Sequence, residues 1–342
     1  MEKARFKWVL RERNRKIAAK TEVFTEQQAR RVRSFHSSFK EYSPTPLIEL
    51  TSLAQHLGIK NLFVKDESYR FGLNAFKVLG GSFAIGSYIA NELGEDIDDL
   101  PYMRLVSDEV RSLLGSKTFI TTTDGNHGRG VAWTANRLKQ QAIVYMPQGS
   151  AAERLSNIRA EGAQAEITDM NYDDTVRYTS ELAQKNGWII VQDTAWDGYT
   201  RIPLWIMQGY MTMALEAYEQ LPVKPTHIFL QAGVGSLAGS VQGFFADIYG
   251  SSCPLTFIVE PKGADCLYQT AAANDGSLHS VTGRLETIMA GLACGEPNSI
   301  AWEILGNLSD GFISCPDYTA AQGMRILGNP LAGDTKVSAG ES

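Results

Sequence analysis

Residues 74–83 read Asn74-Ala75-Phe76-Lys77-Val78-Leu79-Gly80-Gly81-Ser82-Phe83, and the apolar pattern they open predicts a helix over 75–93. Arg70, Phe71, Gly72 and Leu73 come just before. A lysine just inside a helix start, after a Gly-containing loop, suits covalent capture of a carbonyl group. The partly positive helix N-terminus disfavours a second positive charge there. Burial would lower the amine's pKa in the same direction and free it as a nucleophile. The bland alternative is a surface lysine on an amphipathic helix. Two further glycine-rich loops, placed as if for the same ligand, weigh against it.

Outward from this stretch, strands and helices alternate. A strand over 61–65 precedes the 75–93 helix. Strands follow over 117–122, 142–146, 163–168, 188–192, 226–231 and 255–260, separated by helices over 126–140, 151–161, 173–186, 202–220 and 236–249. Such alternation predicts α/β architecture, with parallel sheet and helices on both faces. Short apolar runs bounded by Gly and Pro fit strands buried on both sides. Residues 94–116 read as an acidic insertion between a helix and a strand.

A chain of 342 residues accommodates two domains. Its 44% hydrophobic content is ordinary for a globular protein, and no apolar run approaches the roughly 20 residues of a membrane span. The first 20 residues lack the apolar segment of a secretory signal, so the expected location is cytoplasmic, with no membrane partner. Residues 1–40 carry 12 Lys/Arg against 4 Asp/Glu in a chain of net charge −6. With no nucleic-acid-binding spacing nearby, that arm is expected to be solvated or to contact another subunit. Cys253, Cys266, Cys294 and Cys315 form no C-x-x-C pair. Buried free thiols are expected, with a Cys266–Cys294 bridge under oxidation as the alternative.

Residues 121–130, Thr121-Thr122-Thr123-Asp124-Gly125-Asn126-His127-Gly128-Arg129-Gly130, join a strand to a helix. Glycines let the backbone approach a ligand, and the helix start offers free N–H groups. An ordinary capped turn explains Asp124 or Asn126 alone, but not three glycines with Asn and His between them. Residues 231–239, Gln231-Ala232-Gly233-Val234-Gly235-Ser236-Leu237-Ala238-Gly239, also open a helix and suit a phosphate. Alone, this loop fits a dinucleotide-binding turn as well, since Glu260 ends the next strand where a ribose-binding acid would sit.

Taken together, residues 74–84, 121–133, 192–200, 231–239 and 324–342 resemble the fold-type II pyridoxal-phosphate (PLP) enzymes, and within them most closely the diaminopropionate ammonia-lyases. The resemblance spans residues 42–342. It implies a two-domain α/β fold, each domain a mostly parallel twisted sheet flanked by helices. Residues 1–80 with 198–342 would form the large PLP-binding domain, and 81–197 the small one. It also implies a homodimer, a small amino-acid substrate and no nucleic acid.

By this resemblance Lys77 matches the lysine that carries PLP, and Asn126 the residue that hydrogen-bonds the ring hydroxyl. Gly233, Val234, Gly235, Ser236 and Leu237 match the phosphate cradle. Asp124 stands where related dehydratases usually show serine, so this site is expected to meet a cation, such as the β-ammonium of 2,3-diaminopropionate. Asp193 matches a second acid, and mutual repulsion of the two carboxylates would separate their pKa values. Lys77 and Asp124 would serve as alternative bases for the D and L isomers. Elimination of the β-amine would release aminoacrylate, which hydrolyses to pyruvate and a second ammonia. His127 is read as structural or ring-facing, and Tyr172 as facing the cleft.

Similar enzymes continue beyond the stretch matching 324–342 with a helix and a strand bearing a hydroxyl toward the pyridine nitrogen. No residue here matches that hydroxyl. An exposed sheet edge and apolar helix faces are expected in consequence. The alternatives are a threonine or serine dehydratase, against which Asp124 argues, and a catalytically impaired PLP-binding chain. A nicotinamide dehydrogenase leaves Lys77 and residues 124–130 unexplained.

Overall fold

The computed structural model describes residues 5–12 and 21–342. Among them run ten strands: β1 (Lys7–Leu10), β2 (Leu47–Glu49), β3 (Phe63–Lys65), β4 (Thr118–Thr122), β5 (Gln141–Met146), β6 (Gln164–Ile167), β7 (Ile189–Ile190), β8 (His227–Gln231), β9 (Leu255–Pro261) and β10 (Gly311–Cys315). One sheet has the order β6-β5-β4-β7 and is parallel throughout. A second has the order β1-β10-β9-β8, parallel except for β1.

The order of the first sheet positions the site. From β4 the chain steps outward to β5 and β6, then returns across to β7. Right-handed crossovers therefore put helices Asn126–Arg137 and Ala152–Ala160 on one face and Tyr172–Asn186 on the other. The order reverses between β4 and β7, and the loops leaving their carboxyl ends diverge into a crevice. Asp124 follows β4 and Asp193 follows β7. The β4 residues from Phe119 to Thr122 are all buried, as a strand covered on both faces should be.

Helix Lys77–Leu93 links the two sheets through its packing on helices Arg201–Gln220 and Asn126–Arg137. Glycines permit the contact. A Cβ on Gly209 would lie 2.4 Å from the Leu79 carbonyl oxygen, and one on Gly130 would lie 2.8 Å from Val78 Cα. A single apolar cluster runs through these helices and both sheets.

Several expectations need correction. The N-terminal arm is not simply solvated: helix Glu26–Ser37 buries Ala29, Val32, Phe35 and His36 against helix Arg201–Gln220. Its arginines face outward, Arg31 to Asp96 and Asp98 of the acidic insertion, Arg30 and Arg33 to Glu219. Residues 1–4 and 13–20 of the arm lie outside the described residues. The mostly parallel sheets agree with the expectation, the exceptions being β1, which runs against β10, and the antiparallel β2–β3 pair. The predicted 188–192 strand shrinks to β7 because the Gln192 backbone N–H donates to Tyr199 Oη instead of a neighbouring strand. Strand β10 has no counterpart in the sequence-based reading. At the sheet edge, β8 carries Phe229, 63% exposed. Among the described residues no helix is long and apolar enough to cross a membrane.

Candidate active site

Lys77 is the first residue of its helix, and its Nζ donates to Asp193 Oδ2 at 2.9 Å. Burial works to lower the lysine's pKa, but the Asp193 and Asp124 carboxylates outweigh it and raise it above the ordinary lysine value. The expectation that burial and the helix N-terminus free the amine is thus overturned: Coulomb attraction at 2.9 Å exceeds a partial helix charge. For Asp193, burial favours the neutral acid. The Lys77 ammonium opposes it and holds the carboxyl down at about 2.

The expected opposition of two carboxylates is resolved differently. Each has a cation of its own: Lys77 for Asp193, and Arg154, whose Nη1 donates to Asp124 Oδ2 at 2.9 Å. Lys77, Thr123, Asp124, His127, Tyr172 and Asp193 surround one small chamber, closed to about 10 Å³. That is room for about one water molecule. The chamber shares Tyr172 with a neighbouring cavity of about 200 Å³, whose wall includes Val234.

His127 is buried and donates from Nε2 to the Val191 carbonyl at 2.7 Å. Its Nδ1 is then a bare acceptor, 4.0 Å from Asp193 Oδ2 and without a hydrogen-bond partner among the described residues. Burial keeps this imidazole neutral, lowering its pKa despite Asp193. Tyr172 Oη accepts from Gln192 Nε2 at 2.8 Å, and burial pushes its phenol well up. Tyr210 Oη is a second buried orphan on the helix facing Lys77.

The 231–239 loop leaves β8 and enters helix Ser236–Tyr249, whose N-terminus no side chain caps. Gly235 takes φ +101°, a conformation glycine adopts without strain. Among the described residues the backbone N–H groups of Gly233, Val234 and Gly235 make no hydrogen bond. Ser236 Oγ donates to the Asp193 carbonyl and accepts from Asn298 Nδ2, which ties the loop to the acidic wall. Asn126 stands apart: it is exposed at its helix start and does not line the chamber. Cys266 and Cys294 are buried separate thiols flanking Gly233.

Sequence reasoning missed Arg154, Gln192 and Asn298. Asn298 carries the one legible signal, an Asn ahead of an apolar helical run, and it does cap helix Ser299–Leu308. Gln192 bonds Thr121 Oγ1 and the Thr122 backbone, a contact set only by the β4–β7 pairing.

The family model for pyridoxal-phosphate dependent enzymes matches residues 39–331. The diaminopropionate ammonia-lyase of Escherichia coli strain K12 is 52% identical over 324 residues, covering 94% of this chain and 80% of that protein. The crystal structure of the holo enzyme from Escherichia coli superposes with a TM-score of 0.91 at 49% identity, covering 99% of this chain and 84% of that one. A processed threonine deaminase from Solanum lycopersicum shares the fold, with a TM-score of 0.73 at 19% identity, over 97% of this chain and 84% of that one.

Proposed function

We propose that this chain, which belongs to the diaminopropionate ammonia-lyase family of pyridoxal-phosphate dependent enzymes, eliminates ammonia from D- and L-2,3-diaminopropionate to give pyruvate and two ammonia. One observation carries the proposal. A lysine hydrogen-bonded to a buried aspartate shares a chamber with Asp124, beside a glycine loop with free N–H groups.

The residues fit PLP. The uncapped helix start and free N–H groups at 233–235 would hold a phosphate. Lys77 would hold the aldehyde, and the orphan His127 Nδ1 offers an unused acceptor beside it. Tyr172 lines both the Lys77 chamber and the Val234 cavity. When bound, PLP supplies the electron sink for negative charge at the substrate's α-carbon.

The chain's own residues manage protons. Lys77 must lose one before its amine can bond a carbonyl carbon, and Asp193 at 2.9 Å is the route. Once Lys77 is no longer an ammonium, burial acts on Asp193 with less opposition and its pKa rises. A carboxyl so poised can donate to the departing β-amine, a poor leaving group without a proton. Asp124 attracts the β-ammonium and, with Lys77, offers a second base for the α-proton. The same reading assigns residues 1–80 with 198–342 to the cofactor domain and 81–197 to the smaller one. It also places the enzyme in the cytoplasm as a homodimer.

The test supplies PLP to purified protein and measures pyruvate from D- and L-2,3-diaminopropionate beside threonine and serine. Turnover of the diamino acid in preference is expected. Faster turnover of threonine or serine would overturn the assignment.

A further inference from the structure

Tyr210 is 1% exposed, and its hydroxyl has no hydrogen-bond partner among the described residues. An unpaired buried hydroxyl costs the folded state free energy that phenylalanine would not. Helix packing sets the ring's place. Helix Arg201–Gln220 lies on helix Lys77–Leu93, and the hydroxyl end of Tyr210 fills the space over Gly80. A Cβ on Gly80 would lie 2.6 Å from Tyr210 Cε1 and 2.9 Å from Cζ, the carbon that bears the hydroxyl. Residues i and i+3 share a helix face, so this spot lies beside Lys77. The ring of Phe76, the residue before Lys77, meets Tyr210 edge-on at 5.1 Å. Lys77 has donors to spare: an ammonium carries three N–H groups, and the structure shows one of them used, on Asp193. Tyr210 does not line the chamber, so it acts on the chemistry only through the lysine.

Resting on the function proposed above, with Lys77 as the cofactor lysine, we infer that Tyr210 is a positioning residue whose hydroxyl accepts an N–H of the Lys77 amine once Asp193 has taken its proton. In the ion-paired state the ammonium is drawn to Asp193, which leaves the hydroxyl unpaired, as observed. Proton transfer to Asp193 cancels that attraction. The neutral amine must then turn its lone pair away from the new acid, or the proton returns. An acceptor that takes one N–H turns the lone pair toward the aldehyde and holds it there. A second carboxylate in this place would favour the ammonium again, whereas a hydroxyl accepts without adding charge. Burial pushes the Tyr210 phenol up, so it stays neutral throughout. The Lys77 nitrogen then bonds the aldehyde carbon. The aldehyde oxygen leaves as water with the two remaining amine protons, while the third rests on Asp193.

The experiment mixes PLP-free protein with PLP and follows covalent attachment to Lys77 by visible absorbance, for wild type and Tyr210→Phe. The substitution keeps the ring contacts with Gly80 and Phe76 and removes the hydroxyl alone. The limiting rate should fall roughly 10-fold, the effect of one hydrogen bond, while the PLP concentration for half-maximal rate holds within about 2-fold. The thermal midpoint of the PLP-free variant should equal or exceed that of wild type, because the hydroxyl is unpaired there. An unchanged limiting rate would overturn the inference. So would a slower rate that comes with a lower midpoint or weaker saturation by PLP, since the hydroxyl would then support the fold or the pocket. Wild type that attaches PLP yet makes no pyruvate from 2,3-diaminopropionate would sink the lyase reading and leave this inference standing. Wild type that never attaches PLP would overturn both.

Discussion

At the scale of single residues, each of the two site carboxylates is paired with a cation of its own, Asp193 with Lys77 and Asp124 with Arg154. Lys77→Ala removes both the covalent anchor and the ammonium that holds Asp193 ionised, so turnover of both isomers should fall by more than about 10³-fold. Appreciable pyruvate from that variant would contradict the scheme. Asp193 also makes a stability prediction. Its folded pKa, about 2, lies below the ordinary carboxylate value near 4. It therefore contributes stability that is full above about pH 4 and is lost as pH falls through about 2. Thermal unfolding of Asp193→Asn across pH 2 to 6 should show a shallower acid-side loss than wild type. A parallel curve would mean that the Lys77 pair contributes nothing to stability.

At the scale of elements, three helices meet around the Lys77 helix start, and small side chains and one buried histidine decide how closely. His36 bridges them, with Nδ1 2.7 Å from Thr212 Oγ1 and Nε2 3.0 Å from the Leu79 carbonyl. Burial, with Arg70 adding to it, holds its pKa at about 3. The folded state therefore binds fewer protons than the unfolded chain below about pH 6.5, and stability falls with pH from there down to about 3. The slope should reach at most about 1.4 kcal/mol per pH unit, and His36→Gln should flatten it. Gly209→Ala makes a separate prediction. A Cβ 2.4 Å from the Leu79 carbonyl oxygen must push two helices apart, at roughly 1–3 kcal/mol by chemical denaturation. An unchanged midpoint would show that the packing has slack.

Elements were also where the sequence spoke most clearly. The 77–93, 126–137 and 236–249 helices and the strands before them follow from apolar periodicity and glycine placement, which are local properties. Strands β1 and β10 and the N-terminal helix were hidden for different reasons. The pairing of β1 depends on a strand 300 residues away. The apolar stripe of helix Glu26–Ser37 is masked by Arg30, Arg31 and Arg33 on its outer face. The site shows the same division. Lys77, Asp124 and the 233–237 loop are legible because each sits at a helix start. Arg154 looks like any helical arginine, and Lys77's raised pKa depends on the nearness of Asp193, 116 residues on. Asn126, matched by its motif, is exposed at its helix start.

At the scale of the whole molecule, a buried charge network ties the segment before Lys77 to the helix packed behind it. Arg70 is fully buried, with Nη2 2.7 Å from Glu216 Oε2 and Nε 2.8 Å from Glu67. Lys65 Nζ lies 2.9 Å from the same Glu216. Removing one partner strands the others, so Glu216→Gln should destabilise the fold by about 3–5 kcal/mol. Denaturant unfolding measures this, and a loss below about 1 kcal/mol would mean that water reaches the network. On the proposed function, Lys77, Asp193 and the 233–237 loop form a working PLP site for a diamino acid. The most direct test follows pyruvate from D- and L-2,3-diaminopropionate in protein supplied with PLP, beside Lys77→Ala. Pyruvate from both isomers, abolished by the substitution, is the predicted result. Turnover that survives in Lys77→Ala, or none at all in the unsubstituted protein, would contradict it.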